Sequence, residues 1–207
     1  MKKLDLTQHY KAYYNADESP QLVDIEKAQF ISITGKGDPA EQEYADKLQA
    51  LYATAYAIKF LCKSEGKDFV VPKLQGQWSF DDSAYKNVSM EEAPALVPRS
   101  VWEYRMLIRM PDFVNENLLK AAVQTVTVKK KIRLAADVEF YQMQEGKAVQ
   151  MLHVGPFSTE IQSLKKMQSF MTAHNLQKNG LHHEIYLSDF RKVAPEKLRT
   201  ILREPVK

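Results

Sequence analysis

The run His182-His183-Glu184-Ile185-Tyr186-Leu187-Ser188-Asp189 puts a carboxylate inside a segment whose β-branched and aromatic content predicts a strand. Burying a carboxylate without partners costs several kcal/mol or forces its pKa upward, so Glu184 faces either solvent or a pocket that uses it. Side chains alternate along a strand, which places Glu184 with His182, Tyr186 and Ser188 on one face and His183, Ile185 and Leu187 on the other. The first face carries reactive groups and the second is expected to be apolar. A desolvated glutamate there can act as a proton acceptor or as the counter-charge of a cation.

Aromatic residues elsewhere can complete such a site. Trp78, Trp102, Tyr104 and Tyr186, with Tyr52 or Tyr56, can wall a box around one carboxylate, suited to a planar aromatic or cationic small molecule through stacking and cation–π attraction. Each ring equally fits ordinary core, and the helical tyrosines more so. A metal reading of His182, His183 and Glu184, with His153 as a further ligand, finds no support. Adjacent strand histidines diverge, and the spacing matches no closed zinc pattern. No cofactor is implied. His153, just before Gly155-Pro156, reads as an orienting or satisfied histidine. No nucleophile elbow supports a Ser/His/Asp triad, and Gly35-Lys36-Gly37 is too short for a phosphate loop.

The elements that must position these residues follow from periodicity. Residues 22 to 34 contain the strand-like Phe30-Ile31-Ser32-Ile33-Thr34, ending at Gly35-Lys36-Gly37-Asp38-Pro39, where a helix is expected to start. From Glu41 to Cys62, Tyr44, Leu48, Leu51, Tyr52, Ala55, Tyr56 and Phe60 recur at three- and four-residue steps, predicting a helix with a tyrosine-rich stripe that Gly66 ends. Leu74, Trp78 and Phe80 mark a strand around Gly76. Residues 81 to 98 read as a polar surface excursion with a helical turn near Ser89-Met90-Glu91-Glu92, and 101 to 110 as a strand with Trp102, Tyr104, Met106 and Ile108 on one face. A connecting helix spans 115 to 131. Strand or hairpin arms at 138 to 141 and 147 to 154 join at Glu145-Gly146, an amphipathic helix carries Ile161, Leu164, Met167, Phe170 and Met171, and 195 to 206 supplies the last extended segment.

Strand, turn, helix, strand, strand is thus stated over 22–110 and again over 138–206, within one domain spanning 1–207. The expected fold is α+β, with each module a small antiparallel sheet backed by a helix and the two sheets facing each other across a ligand cleft.

Composition narrows the partners. The 207 residues are 44% hydrophobic, enough for a full core, and the net charge of +3 comes from 29 basic and 26 acidic residues that are mixed along the chain. Lys129-Lys130-Lys131 and Arg133 form the sole basic run, read as a solvated helix end, so direct nucleic-acid binding is not expected. A single cysteine, Cys62, excludes an internal disulfide and reads as packing. No apolar signal core follows Met1-Lys2-Lys3, and no stretch is long and apolar enough to span a bilayer, so a cytoplasmic location without membrane insertion is expected. Nothing in the pattern specifies an oligomeric state or a protein partner.

Three runs resemble the GyrI-like small-molecule-binding family: His153-Val154-Gly155-Pro156-Phe157, His182 through Asp189, and Pro195-Glu196-Lys197-Leu198 with Thr200-Ile201-Leu202-Arg203-Glu204-Pro205-Val206. Gly35-Lys36-Gly37-Asp38-Pro39, Leu51-Tyr52, Tyr56-Ala57-Ile58-Lys59-Phe60 and Trp102 through Pro111-Asp112-Phe113 look like its stand-alone bacterial branch, so the likeness covers nearly the whole chain. The resemblance implies tandem strand-helix-strand-strand (SHS2) modules and one pocket with two uses. In multidrug-response activators it is an effector-binding domain whose buried glutamate meets cationic drugs. In the stand-alone branch, members resemble cyclopropanoid cyclopropyl hydrolases, which detoxify DNA-alkylating compounds of the yatakemycin and duocarmycin kind. The segment ahead of residue 22 is too short for a helix-turn-helix, which favours the hydrolase. The resemblance then implies Glu184 and Tyr186 as catalytic residues, with Trp78, Trp102, Tyr104, Tyr56 and His153 holding the substrate. A non-catalytic module that sequesters aromatic drugs is the alternative, and the family name adds inhibition of DNA gyrase as a third.

Overall fold

Strand patterning resolves into β1 (Gln21–Ile25), β2 (Ala28–Lys36), β3 (Leu74–Ser79), β4 (Glu103–Arg109), β5 (Glu139–Met143), β6 (Gly146–Val154), β7 (His182–Tyr186) and β8 (Arg199–Pro205). The helices are α1 (Leu6–His9), α2 (Gln42–Ser64), α3 (Ala93–Leu96), α4 (Glu116–Lys129) and α5 (Glu160–Ala173). The computed structural model describes residues 3–81, 83–86, 88–89 and 92–207. Local chemistry sets the ends: the Asn115 side chain accepts from the Leu118 N–H at 3.1 Å and starts α4, while Gly155 at φ +137° turns β6 into the approach to α5. Met90 and Glu91 of the expected helical turn lie outside the described residues. A short helix, α3, follows them, and its Ala93 packs with Phe80 and Val97.

The fold is α+β, but its strands do not form two facing sheets. They make one eight-stranded sheet in the order β1-β6-β8-β7-β3-β4-β2-β5, antiparallel throughout. The half-sheets join edge to edge through β3 and β7 because separate halves would each leave a row of unpaired backbone groups at the middle of the molecule. Residues 139–154 are likewise not a hairpin. β5 pairs with β2 at one border while β6 pairs with β1 and β8 on the opposite side. Each half runs strand, helix, strand, strand, as β2-α2-β3-β4 and β6-α5-β7-β8.

One face of the sheet carries the long helices. α2 lies over β2 and β4, α4 packs on α2, and α5 lies over β6, which leaves the β3–β7 seam between the two halves' helices. Ile31, Ile33, Leu51, Ile58, Met106 and Ile108 fill the core under α2, and Val149, Met151, Met167 and Leu202 the core under α5. Contact with both the sheet and α4 favours small residues such as Ala50, Thr54 and Ala57 on the buried sides of α2, so Tyr56 and Phe60 of the expected stripe stand at its exposed side. The 115–131 helix is more than a connector, since Leu119, Ala122 and Val126 are buried against α2. Cys62 is buried at the end of α2.

The opposite face, expected to be apolar, holds a buried ionic network beside Ile185 and Ile201. His183 directs Nδ1 at Glu145 Oε1 (2.8 Å) and Nε2 at Gln75 Oε1 (3.0 Å). Arg203, fully buried, donates to Glu145 Oε2 (3.0 Å), to Gln150 Oε1 (2.9 Å) and to the Tyr13 carbonyl (3.0 Å). The Tyr13 hydroxyl donates to Gln75 Oε1 at 2.6 Å, which ties the N-terminal segment to the back of the seam. Burial alone would raise the Glu145 pKa, yet His183 and Arg203 hold it at about 2.

Because that folded-state value is depressed from 4.5 to about 2, the stabilisation is in force above pH 4.5 and is lost as the pH falls toward 2. Glu145→Gln leaves the Arg203 charge buried without its counter-ion and should cost ~3–5 kcal/mol in urea unfolding at neutral pH. A loss within ~0.5 kcal/mol, the range of ordinary surface substitutions, would remove the network from the account of stability.

Candidate functional site

Strand register assembles the site. On the helical face Tyr104, Trp78 and His182 stand side by side across β4, β3 and β7, and the next row is Met106, Gly76, Glu184 and Leu202. Tyr186, Thr200 and His153 form a third row across β7, β8 and β6. Glu184 therefore sits at the seam, between the half-sheets and between their helices. Its side chain retains 13% of its exposure.

Gly76, directly opposite Glu184, is what makes room. A Cβ there would lie 2.9 Å from the Tyr186 hydroxyl, 3.0 Å from Trp78 Nε1 and 3.2 Å from Met106 Cε. Those groups converge because Trp78 Nε1–H donates to the Tyr186 hydroxyl at 3.0 Å. Gly35, still within β2, does the same for Tyr104, whose ring comes within 2.3 Å of where its Cβ would be. Tyr44 of α2 completes the wall, stacked on Trp78 at 6.2 Å and edge-on to Tyr104 at 5.0 Å between ring centroids.

The electrostatics centre on His182. Its Nδ1 lies 2.6 Å from Glu204 Oε1 and its Nε2 3.4 Å from Glu184 Oε1. Burial would lower its pKa, but the two carboxylates overcome that and push it up to about 10, so the ring is an imidazolium held between two glutamates. Burial and then Glu184 raise the Tyr186 phenol well above the usual range and keep it a neutral donor. A third carboxyl group, Glu160 at the start of α5, is raised well above the carboxylate range by burial and by Glu184, against the pull of His182. Three carboxyl groups thus surround one cation, walled by aromatic rings. The arrangement can hold a cation, or place a proton acceptor beside a proton donor.

Of the residues singled out from sequence, Glu184, Tyr186, Trp78 and Tyr104 share this face and this site. Trp102 joins its edge, 6.0 Å from Trp78 between ring centroids, with Nε1–H donating to the Val97 carbonyl at 3.1 Å. His153 is on the same face, but its ring is engaged by Ser163 Oγ at 2.9 Å and the Pro156 carbonyl at 3.2 Å, and burial lowers its pKa. Tyr56 is 45% exposed on α2 next to Tyr52, and among the described residues no ring contact joins it to the box. Sequence reasoning missed Tyr44, Glu160, Glu204 and the phenylalanines Phe157 and Phe190. Phe157 lies 6.0 Å from Tyr186 and 6.4 Å from Phe190, and both phenylalanines are exposed, at 44% and 53%. A signal for Glu204 was present, since a charged residue inside an apolar strand is the same cue that marks Glu184.

Among the described residues, no group of three His, Cys, Asp or Glu side chains is arranged to hold a metal ion. A cavity of about 580 Å³ lies elsewhere, between α4 and β5, lined by Leu119, Val123, Val128 and Phe140. No helix among the described residues is long and apolar enough to cross a membrane.

Residues 120–207, which contain α5, β7 and β8, match the model of the GyrI-like small molecule binding domain. An uncharacterized conserved protein from Listeria innocua is 36% identical, with 99% of this chain and 100% of that one covered at a TM-score of 0.87. The chain belongs to the GyrI-like small-molecule-binding family. A hydrolase from Listeria innocua is also 36% identical, covering 99% of this chain and 100% of that one at a TM-score of 0.84. The EcmrR C-terminal domain, 12% identical over 91% of this chain and 97% of its own with a TM-score of 0.56, shares the fold. No curated protein is matched by the chain. In this GyrI-like chain the groups around Glu184 combine aromatic walls with a nearly buried carboxylate.

Since the folded-state value of His182 is raised, its stabilising contribution is complete below pH 6.5 and is lost as the pH climbs toward 10. Its imidazole NMR signals should therefore stay constant around pH 6.5 and move only toward 10. Titration near 6.5 would show that the carboxylate pair does not hold the ring charged.

Proposed function

We propose that this chain is a hydrolase that opens the cyclopropane ring of planar, DNA-alkylating cyclopropanoid compounds and so detoxifies them. The observation that carries the reading is the placement of Glu184: a nearly buried carboxylate opposite Gly76, braced by the His182 imidazolium and walled by Trp78, Tyr44 and Tyr104. The end-to-end similarity to a Listeria innocua hydrolase supports it.

In this mechanism the aromatic walls hold the flat cyclohexadienone so that its ring carbon faces Glu184. Glu184 takes a proton from water as the water oxygen bonds to the cyclopropane carbon. The strained carbon–carbon bond breaks, its electron pair enters the dienone, and the ring becomes aromatic with negative charge on the former carbonyl oxygen. Tyr186, kept neutral by burial and fixed by Trp78, donates a hydrogen bond at the reacting end. His182 orients Glu184 from behind, itself anchored by Glu204.

The second reading, a non-catalytic module that sequesters cationic or planar aromatic drugs, is favoured by the excess of carboxyl groups over cations around His182. Incubating the protein and Glu184→Gln with a spirocyclopropyl-cyclohexadienone, and following substrate and water adduct by mass-resolved chromatography, separates the two. The hydrolase reading expects adduct from the parent protein and a loss of about 10²–10⁴-fold in rate for the variant, with binding retained. Intact substrate held by both proteins would sink the hydrolase and leave the binding module.

A further inference from the structure

Ring opening creates a demand that Glu184 cannot meet, because the oxygen that receives the electron pair needs a proton while Glu184 is taking one. Glu160 is placed to supply it. As the first residue of α5, it follows the tight turn Phe157–Thr159, and its carboxyl lies close enough to Glu184 and His182 to feel both charges. Its Oε1 is sealed from solvent and has no hydrogen-bond partner among the described residues. An ionised oxygen in that position would forfeit its hydration with nothing in return, whereas the neutral acid keeps a proton that it can give away. The start of a helix ordinarily favours an anion. Here burial and the neighbouring Glu184 act against that field, and His182 is the one group pulling with it.

The titratable groups coupled to this pair are His182 and Tyr186 from β7, Glu204 from β8 through His182, His153 from β6 and Tyr44 from α2. Of these, His182 is already committed to Glu204 and Glu184, and Tyr186 is too weak an acid to part with its proton. Two carboxyl groups in one site, one of them pushed above its ordinary range by burial and by the charge of the other, can form an acid–base pair.

We infer that Glu160 is the proton donor of the site, delivering its proton to the dienone oxygen while Glu184 removes one from the attacking water. This rests on the hydrolase reading and completes its balance. Water adds across the ring, one carbon–oxygen bond forms and one carbon–carbon bond breaks, Glu184 ends protonated and Glu160 ionised, and proton return from Glu184 to Glu160 restores the pair without any oxidant or cofactor.

Two measurements on the full chain test it. The first needs no substrate: carboxyl carbon NMR of glutamate-labelled protein should show one glutamic acid that stays protonated through neutral pH, and Glu160→Gln should remove that signal. A parent protein in which every glutamate is ionised at neutral pH overturns the inference. The second is the pH–rate profile on a spirocyclopropyl-cyclohexadienone. The parent should lose activity on the alkaline side as Glu160 ionises, and Glu160→Gln should lower the rate by about 10²-fold and abolish that alkaline limb. A merely structural role would lower the rate without changing the shape. Parent turnover with an unchanged profile and rate in Glu160→Gln overturns the donor role alone. A parent that binds but never turns over overturns the hydrolase reading, and the donor role falls with it.

Discussion

Backbone pairing between β3 and β7 holds the two halves of the molecule together, and the chemistry of the site depends on its register. Gln75, Gly76, Gln77 and Trp78 stand opposite Ile185, Glu184, His183 and His182. A slip of one residue would turn Glu184 toward the back of the sheet and bring His183 to the front. The same pairing puts the one side chain that is missing, at Gly76, against the one that needs space, at Glu184. Closure of the seam thereby satisfies the inner edges of both half-sheets and places Glu184 between the helices of the two halves.

Two adjacent histidines then fix that seam from both sides. His182 neutralises carboxylates on the helical face, and His183 faces Glu145 and Gln75 on the other. His182, Glu145 and Arg203 each have an opposite charge within hydrogen-bond range, the condition under which interior ions are tolerated at all. The back network has a structural consequence as well. Through Tyr13 and Arg203 it locks the N-terminal segment against the sheet, so that the strand carrying Glu184 is clamped between an ion network behind and an aromatic wall in front. Rigidity of this kind is what a site needs if it is to hold a carboxylate in one direction rather than let it relax toward solvent.

Much of this was legible in the residues. Alternation along 182–188 correctly grouped His182, Glu184 and Tyr186, and the spacing around Gly76 put Trp78 on a strand face that became the wall of the site. Periodicity reports which face a residue takes within its own element. It does not report which element lies next door, so the edge-to-edge joining of the half-sheets and the separate destinations of β5 and β6 were out of reach. For the same reason Glu160 escaped notice, since it meets Glu184 and His182 only through the packing of α5. Tyr56 shows the opposite limit: a stripe at helical spacing was read as facing inward, but a helix wedged between a sheet and a second helix buries its small residues instead.

The chain's two tryptophans, Trp78 and Trp102, lie 6.0 Å apart at this site, so intrinsic fluorescence reports directly on whether a ligand enters it. The measurement is a titration of the whole protein with the ring-opened, phenolic form of a duocarmycin-type compound, a planar aromatic that cannot react, following tryptophan emission beside calorimetric binding. A saturable change in emission with the same Kd as the calorimetric isotherm is the predicted result. Calorimetric binding that leaves both tryptophans unperturbed would place the ligand elsewhere, for instance in the cavity between α4 and β5, and would contradict the assignment of the seam as the binding site, as would no binding at all.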